Sequence, residues 1–138
     1  MSSIVQGLTT SFKAESFQAV QNLLTDSLKI ALYTANADLN QDTTVYTSAN
    51  EVTGTGYTAG GVALTGAVLN TSGTVAYMSF NNVTFNASVT ARCALIYNVS
   101  KGNKSVFVLD FGSDKTSSNF TINWPANTPT AAIIRSAN

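Results

Sequence analysis

Hydrophobic and polar residues alternate most regularly between Arg92 and Trp124, and this stretch predicts three β-strands. They span Arg92–Tyr97, Lys104–Phe111 and Asn119–Trp124. Because successive side chains of a strand point to opposite faces, each strand places its apolar residues on one side, where they can line a hydrophobic core. The three apolar sets are Cys93, Leu95 and Tyr97; Phe107, Leu109 and Phe111; and Phe120, Ile122 and Trp124.

Short apolar runs predict further strands on both sides of this stretch. Leu28–Thr34 should turn Leu28, Ile30 and Leu32 inward, and Lys29, Ala31 and Tyr33 outward. Turn-forming residues separate the strands, as in Asn70-Thr-Ser-Gly73 and Gly112-Ser-Asp114-Lys115. We therefore predict a mainly β fold, an antiparallel sandwich or barrel of about seven to eight strands with one N-terminal amphipathic helix. The other predicted strands are Val62–Leu69, Val75–Phe80, Val83–Phe85 and Ala131–Arg135.

The predicted helix runs from Phe12 to about Leu24, with Ser11 as its N-cap. Phe17, Val20 and Leu24 recur at helical spacing and should cover the sheet, whereas Gln21 should face water. We expect a single β domain over residues 1–138, with an N-terminal arm at 1–10, the helix at 11–24 and the β core at 28–138.

A long polar connection, Ala35–Gly61, interrupts the predicted strands. A loop of this length with little structure of its own is usually functional. Its glycine-rich end, from Gly54 to Gly61, requires tight turns or positive φ angles.

The composition favours association with other proteins over catalysis. The formal net charge is +0 and only 10% of the residues are charged, against about 25% in typical domains, so copies repel one another weakly. Seven Lys and Arg are scattered along the chain and form no basic stripe, which argues against nucleic acid. The start Met1–Leu8 lacks the features of a signal peptide, and no run is apolar enough to cross a membrane, so we expect a protein kept in a cytoplasm or released from it by lysis.

Four features could carry chemistry, and each has a structural explanation that we favour. Cys93 lies on an apolar strand face, and the chain has no His to activate it. The Asp38-x-Asn40-x-Asp42 spacing begins like a calcium-binding loop, but Thr43 replaces the glycine of its turn and Ala49 replaces the bidentate glutamate ligand. The Gly54–Gly61 run is followed by a strand, whereas a phosphate-binding loop precedes a helix. Asp110 should pair with Lys115 or Arg92, with Asp114 in a turn, and Trp124 should lie in the core or in a subunit interface.

Five stretches, taken together and in this order, resemble small virion proteins encoded among the structural genes of tailed bacteriophages. The resemblance runs from about Leu28 to the C-terminus and implies a component of the particle. It supplies no catalytic residue and no cofactor. The stretches are Leu28-Lys-Ile-Ala-Leu-Tyr-Thr34, Asn50-Glu-Val-Thr-Gly-Thr-Gly-Tyr-Thr-Ala-Gly-Gly61, Ala94-Leu-Ile-Tyr-Asn98, Val108-Leu-Asp-Phe-Gly-Ser-Asp-Lys-Thr-Ser-Ser118 and Ala131-Ala-Ile-Ile-Arg135.

The residues and the resemblance lead us to expect a non-enzymatic capsid decoration or cement protein. It would bind the major capsid protein and other virion proteins on the assembled shell, form a homo-oligomer such as a trimer, and enter the virion in the host cytoplasm. Neither a cofactor nor a metal is expected, nor contact with nucleic acid or membrane. The arm and the Ala35–Gly61 loop are the predicted contact regions, with candidate residues Ile4, Val5, Leu8, Leu39, Val45, Tyr46, Val52 and Tyr57.

Two other classes of function remain open from the sequence. A tail-associated or receptor-binding module would hold a surface glycan with its turns, with Tyr46 and Tyr57 as the exposed aromatic candidates. A head–tail or tail-tube component would instead present its strands to neighbours in a ring.

Overall fold

The computed structural model describes residues 3–136 and shows a mainly β chain with one α-helix. Its twelve strands exceed the predicted seven to eight, because several short pairings form at the termini and in the long loop. The helix α1 spans Thr10–Phe17. The strands are β1 Ser3–Ile4, β2 Gly7–Leu8, β3 Leu28–Tyr33, β4 Asp38–Leu39, β5 Val62–Leu64, β6 Val68–Ser72, β7 Val75–Ser79, β8 Val83–Phe85, β9 Val89–Asn98, β10 Lys104–Ser117, β11 Phe120–Ile122 and β12 Ile134–Ser136.

The strands form one central sheet and three small ones in a sandwich-like arrangement, and residues 3–136 contain no closed barrel. The central sheet has the order β2-β10-β9-β3-β5, and all of its pairs are antiparallel. The smaller sheets are β12-β7-β6, β11-β8 and the parallel pair β1-β4. The predicted strand Val62–Leu69 is divided into β5 and β6, because Gly66 turns the chain at a φ of 73°.

The main core lies between one face of the central sheet and two of the smaller sheets, β12-β7-β6 and β11-β8. Ile30, Leu32 and Ile96 on the central sheet are fully buried. The predicted inward face of β3 and the shared face of Phe107, Leu109 and Phe111 are confirmed, since all of these residues lie in or against the main core. The opposing side chains include Met78, Phe80, Val83, Phe85, Phe120, Ile122 and Ile134.

The opposite face of the central sheet is also buried, as predicted for Cys93, Leu95 and Tyr97 but not for β3. Ala31 and Tyr33 were expected to face outward, but neither is exposed to solvent. A strand that is apolar on both faces is typical of a sheet covered on both sides, and here the arm and the Ala35–Gly61 loop provide the second cover. We call this face, formed by Ala31, Tyr33, Cys93, Leu95, Tyr97 and Val108, the tyrosine face.

Two irregularities shape the long strand β10. One extra residue, Val106, lies between Ser105 and Phe107 opposite β9, so both Val106 and Phe107 reach the main core. The predicted turn Gly112–Lys115 is wrong: β10 continues to Ser117, residues 111–114 form an insertion within it, and pairing with β9 resumes at Lys115. Gly112 permits the insertion with a φ of 83°.

The helix is shorter than predicted, and its N-cap is Thr9 rather than Ser11. The Thr9 hydroxyl accepts a hydrogen bond from the Phe12 amide at 3.3 Å. Phe12 is buried, but the predicted sheet-covering residues Phe17 and Leu24 are 93% and 50% exposed. The helix ends at Phe17 because Ala19 adopts a left-handed φ of 58°, after which the chain turns to bury Gln21.

Gln21, expected to face water, anchors a buried polar network. Its amide donates to the Glu15 carboxylate at 2.8 Å and to the Ser105 carbonyl at 3.1 Å. The side-chain oxygen of Gln21 accepts a hydrogen bond from Asn98 Nδ2 at 3.0 Å. The same Asn98 nitrogen also donates to the Asp26 carboxylate. These hydrogen bonds compete with continuation of the helix and explain why the hydrophobic spacing of Phe17, Val20 and Leu24 was misleading.

Candidate binding surfaces

The N-terminal arm is built into the fold on both sides of the central sheet. β1 pairs with β4 of the long loop, and β2 adds to the edge of β10. Ile4 packs against the tyrosine face and Leu8 against the main core, both half-buried, whereas Val5 is 47% exposed. Thr9 is fully buried and lies 2.9 Å from the Ser105 hydroxyl. Removing the arm would therefore also remove the helix cap, so an arm deletion is not a clean test of partner binding.

The five candidate residues of the Ala35–Gly61 loop have different fates. Leu39 and Val52 are only 1% and 3% exposed, because the loop packs them into the interior. They are therefore unavailable to a partner in this conformation. Tyr46 and Tyr57 are half-buried, and Val45 is 47% exposed.

A single carboxylate, Glu51, holds the loop in place. It accepts hydrogen bonds from the Tyr46 hydroxyl at 2.6 Å, from the Tyr57 hydroxyl, and from the Gly60 amide at 2.8 Å. The Tyr57 hydroxyl in turn accepts from the Leu32 amide at 3.1 Å on β3. Glu51 thus ties three points of the loop to one another and, through Tyr57, to the central sheet.

Two tyrosines of the central sheet, on the face that the loop covers, donate hydrogen bonds to the loop. The Tyr33 hydroxyl donates to the Thr47 carbonyl and the Tyr97 hydroxyl to the Gly60 carbonyl, both at 2.6 Å. The Tyr97 ring stacks on Tyr46, with centroids 4.6 Å apart. At the loop's end Gly61 has a φ of 81°, and a Cβ there would overlap the Ile30 carbonyl. The positive φ angles expected of the glycine-rich segment are confirmed.

Burial raises the pKa of each of these four phenols. For Tyr33, Tyr46, Tyr57 and Tyr97 the largest cause is desolvation, and the Glu51 carboxylate adds to it because a second negative charge would be repelled. The phenols therefore stay protonated and remain hydrogen-bond donors. Tyr46 and Tyr57, proposed from the sequence as glycan-stacking residues, are thus engaged in holding the loop.

An open apolar groove lies elsewhere, between α1 and the sheet β12-β7-β6. It has a volume of about 440 Å³, and Lys13 and Arg135 are its charged lining residues. Phe17 stands at the groove and is 93% exposed, and Leu69 on β6 is 49% exposed. Leu8 is the one predicted contact residue that lines it. The other apolar lining residues include Phe12, Leu23, Met78 and Ile134.

Sequence reasoning missed this groove for an identifiable reason. Phe17 was assigned to a buried helix face, but α1 buries the face of Phe12, and Phe17, five residues later, lies on a different face and is 93% exposed. β6 and β12 also line the groove, but they are far from α1 in the chain. Only the tertiary fold shows that they lie beside it.

A second cleft, of about 680 Å³, is lined mainly by hydroxyl groups. Seven of its nine lining residues are Ser or Thr, and none is aromatic or charged. We call it the hydroxyl cleft; it is formed by Thr34, Val52, Thr53, Ser88, Val89, Thr90, Thr116, Ser117 and Ser118.

The features considered for catalysis or metal binding occupy structural positions. Cys93 is fully buried, and burial raises the pKa of its thiol to about 12, which suppresses the reactive thiolate. Asp38 belongs to β4, while Asn40 accepts from the Asp42 amide at 2.9 Å and closes a turn. Within residues 3–136, no group of three or more His, Cys, Asp or Glu side chains is placed to hold a metal ion.

The predicted pairing of Asp110 with Arg92 is confirmed, with Arg92 Nε 3.2 Å from Asp110 Oδ1. The same carboxylate oxygen accepts from the Gly112 amide at 2.8 Å. Trp124 is half-buried, packs on Phe80 and donates its indole N–H to the Asn81 carbonyl at 2.8 Å. The Arg92–Asp110 pair lies within the β9-β10 ladder, and Trp124 follows the end of β11, so both have structural roles.

The chain matches no protein-family model, no curated protein sequence and no solved structure. Among the residues that the structure describes, no helix is both long enough and apolar enough to cross a membrane.

Proposed function

We propose that this chain is a non-enzymatic structural component of a tailed phage particle, and that it decorates and stabilises the assembled shell. The observation that carries the proposal is the apolar groove with Phe17 almost fully exposed beside it. Scattered exposed apolar residues are ordinary, but a contiguous apolar surface around an exposed aromatic residue is typical of a site for another protein. Phe17 has the large apolar area that anchors many interfaces.

The rest of the chain supports a binding role that requires no chemistry. Both faces of the central sheet are covered, and the long loop is tied down by Glu51. Such a rigid body can present a fixed surface, which lowers the entropic cost of binding. The segment from about Leu28 to the C-terminus resembles virion proteins, and this resemblance is our reason for proposing a phage particle. The partners we propose are the major capsid protein and further copies of this chain.

Copy number on purified particles tests the proposal. A decoration protein should be present in proportion to the shell subunits, as measured by quantitative gel densitometry against the major shell protein. A few copies confined to one vertex would contradict decoration and favour a head–tail or tail component. Absence from purified particles would contradict any structural role.

The hydroxyl cleft favours a second candidate, a glycan-binding module of the tail. Its seven hydroxyl side chains could hydrogen-bond to sugar hydroxyls. It offers no aromatic ring to stack on a sugar face, so we rank this candidate below decoration. Binding of the purified chain on a glycan array, lost on substitution of Thr90→Asp, would favour this candidate over decoration.

A further inference from the structure

The strand β6 lies at the edge of its sheet and leaves one row of backbone groups open. Its residues pair with β7 from Val68↔Ser79 to Ser72↔Val75, and in the described part of the chain they make no other hydrogen bond. All five side chains of β6 are exposed. We propose that β6 docks the β6 strand of a second copy of this chain, antiparallel, across a twofold axis.

The hairpin geometry identifies the open backbone groups. Ser72 and Val75 flank the two-residue turn Gly73-Thr74, so they form a hydrogen-bonded pair, and bonded and non-bonded pairs alternate from there. Val68, Asn70 and Ser72 therefore direct their backbone groups toward β7. Leu69 and Thr71 direct theirs outward, where a further strand can bond to them.

β6 differs from the other edges by lacking protection. Natural edges carry charges, prolines or bulges, or are kept very short, which prevents pairing with another chain. The free part of β10 carries Asp110, Asp114 and Lys115, and β12 carries Arg135. The remaining edge strands are very short, with two or three residues each: β1, β2, β4, β5, β8 and β11. β6 has five residues and no charge, proline or glycine.

These properties favour a second copy as the occupant. A neutral strand on a chain of zero net charge offers no attraction to a charged partner and no repulsion to itself. Antiparallel pairing of two identical strands fits twofold symmetry: if residue i of one copy contacts residue j of the second, then residue j of the first contacts residue i of the second. With Leu69 and Thr71 facing outward, Leu69 bonds Thr71 of the second copy, and Asn70 lies opposite Asn70 of the second copy.

The pairing leaves the apolar groove open in both copies. A twofold axis perpendicular to the sheet keeps the same face of both copies on one side, so the two grooves open in the same direction. A five-residue strand provides a small interface, so we expect weak, concentration-dependent association. On a repetitive shell, two grooves in one body would add avidity. The inference concerns the isolated chain and does not depend on the proposed function.

Sedimentation of the purified chain over a wide concentration range tests the pairing. The wild type should associate to dimers. Thr71→Lys should weaken association at least tenfold, because it puts a charge on the free edge. Thr74→Lys adds the same charge in the turn, off the edge, and should associate like wild type. A wild type that is monomeric up to about 1 mM, a trimer, or a dimer unaffected by Thr71→Lys would overturn the proposal.

Disulfide trapping tests the register. Side chains of a non-hydrogen-bonded pair lie within disulfide reach, and the natural Cys93 is buried. Under mild oxidation Asn70→Cys should give a covalent dimer much faster than Thr74→Cys; equal rates would refute the register. If the chain is monomeric but still saturates particles, the dimer is refuted and the proposed function stands. If the chain dimerises but never binds particles, the proposed function is refuted and the dimer stands.

Discussion

Two apolar regions of this molecule have opposite fates. The tyrosine face of the central sheet is covered by the chain's own loop, whereas the groove beside Phe17 is left open. The covering loop is held by hydrogen bonds that converge on Glu51, and nothing comparable lies over the groove within residues 3–136. The difference separates roles: the loop side stabilises the fold, and the groove side is free to bind a partner.

Among polar substitutions, the largest expected effect is that of Glu51→Ala, which tests whether Glu51 holds the loop over the tyrosine face. Glu51→Ala leaves two phenols and the Gly60 amide without their acceptor, so the free energy of unfolding should fall by about 2–4 kcal/mol. Urea denaturation measures it. Asp114→Ala removes an exposed carboxylate from β10 and should change stability by less than about 0.5 kcal/mol. Equal effects of the two substitutions would mean that Glu51 does not hold the loop.

The raised phenol pKa values predict a loss of stability at alkaline pH. In the unfolded chain tyrosines ionise near pH 10, while the folded chain retains the protons of Tyr33, Tyr46, Tyr57 and Tyr97. The stabilisation of the folded chain by these protonated phenols is therefore complete below about pH 10 and is lost as the pH rises above it. The urea midpoint should fall steeply above about pH 10, and less steeply in Tyr33→Phe. Parallel curves for the two proteins would contradict the assignment.

Two matched substitutions rank the hydrogen bonds of the loop. Tyr57→Phe removes a donor to Glu51 and an acceptor for the Leu32 amide, so it should cost about 1–2 kcal/mol. Tyr46→Phe removes only the donor to Glu51 and keeps the ring stacked on Tyr97, so it should cost about 0.5–1 kcal/mol. The reverse order in thermal or urea unfolding would show that the loop is not tied to β3 through Tyr57.

The smallest expected effect on stability is at the groove. Phe17 is 93% exposed, so Phe17→Ser should leave the free energy of unfolding within about 0.5 kcal/mol of wild type. Phe12→Ser, five residues earlier and buried, should cost about 3–5 kcal/mol. A large loss for Phe17→Ser in urea unfolding would place Phe17 in the core and remove the basis for an open groove.

The sequence predicted the part of the fold that depends on local alternation. The faces of β3 and β10 that form the main core follow from period-two patterning, and the Arg92–Asp110 pair follows from adjacent strands. The alternation could not show that Ala31 and Tyr33 are also buried, because their cover is an irregular loop. The end of α1 was unpredictable for a similar reason: Ala19 takes a left-handed conformation without glycine, stabilised by the distant partners of Gln21.

The candidate contact residues were chosen from exposed-looking segments, and long-range packing rearranged them. Leu39 and Val52 fill the interior, Tyr46 and Tyr57 bond Glu51, and Leu8 reaches the groove. The loop that looked too polar for structure is ordered because Glu51 satisfies donors brought from three positions. That convergence depends on the tertiary fold, so the one-dimensional pattern did not reveal it.

The most direct test of the account compares the two regions on the particle itself. Purified chain is added to particles that lack it, and bound copies are counted for wild type, Phe17→Asp at the groove and Val45→Asp on the loop side. Both positions are exposed, so both variants should fold. If the groove is the docking surface, Phe17→Asp loses most of its occupancy while Val45→Asp binds like wild type. Full occupancy by Phe17→Asp, or loss by Val45→Asp alone, would contradict docking at the groove.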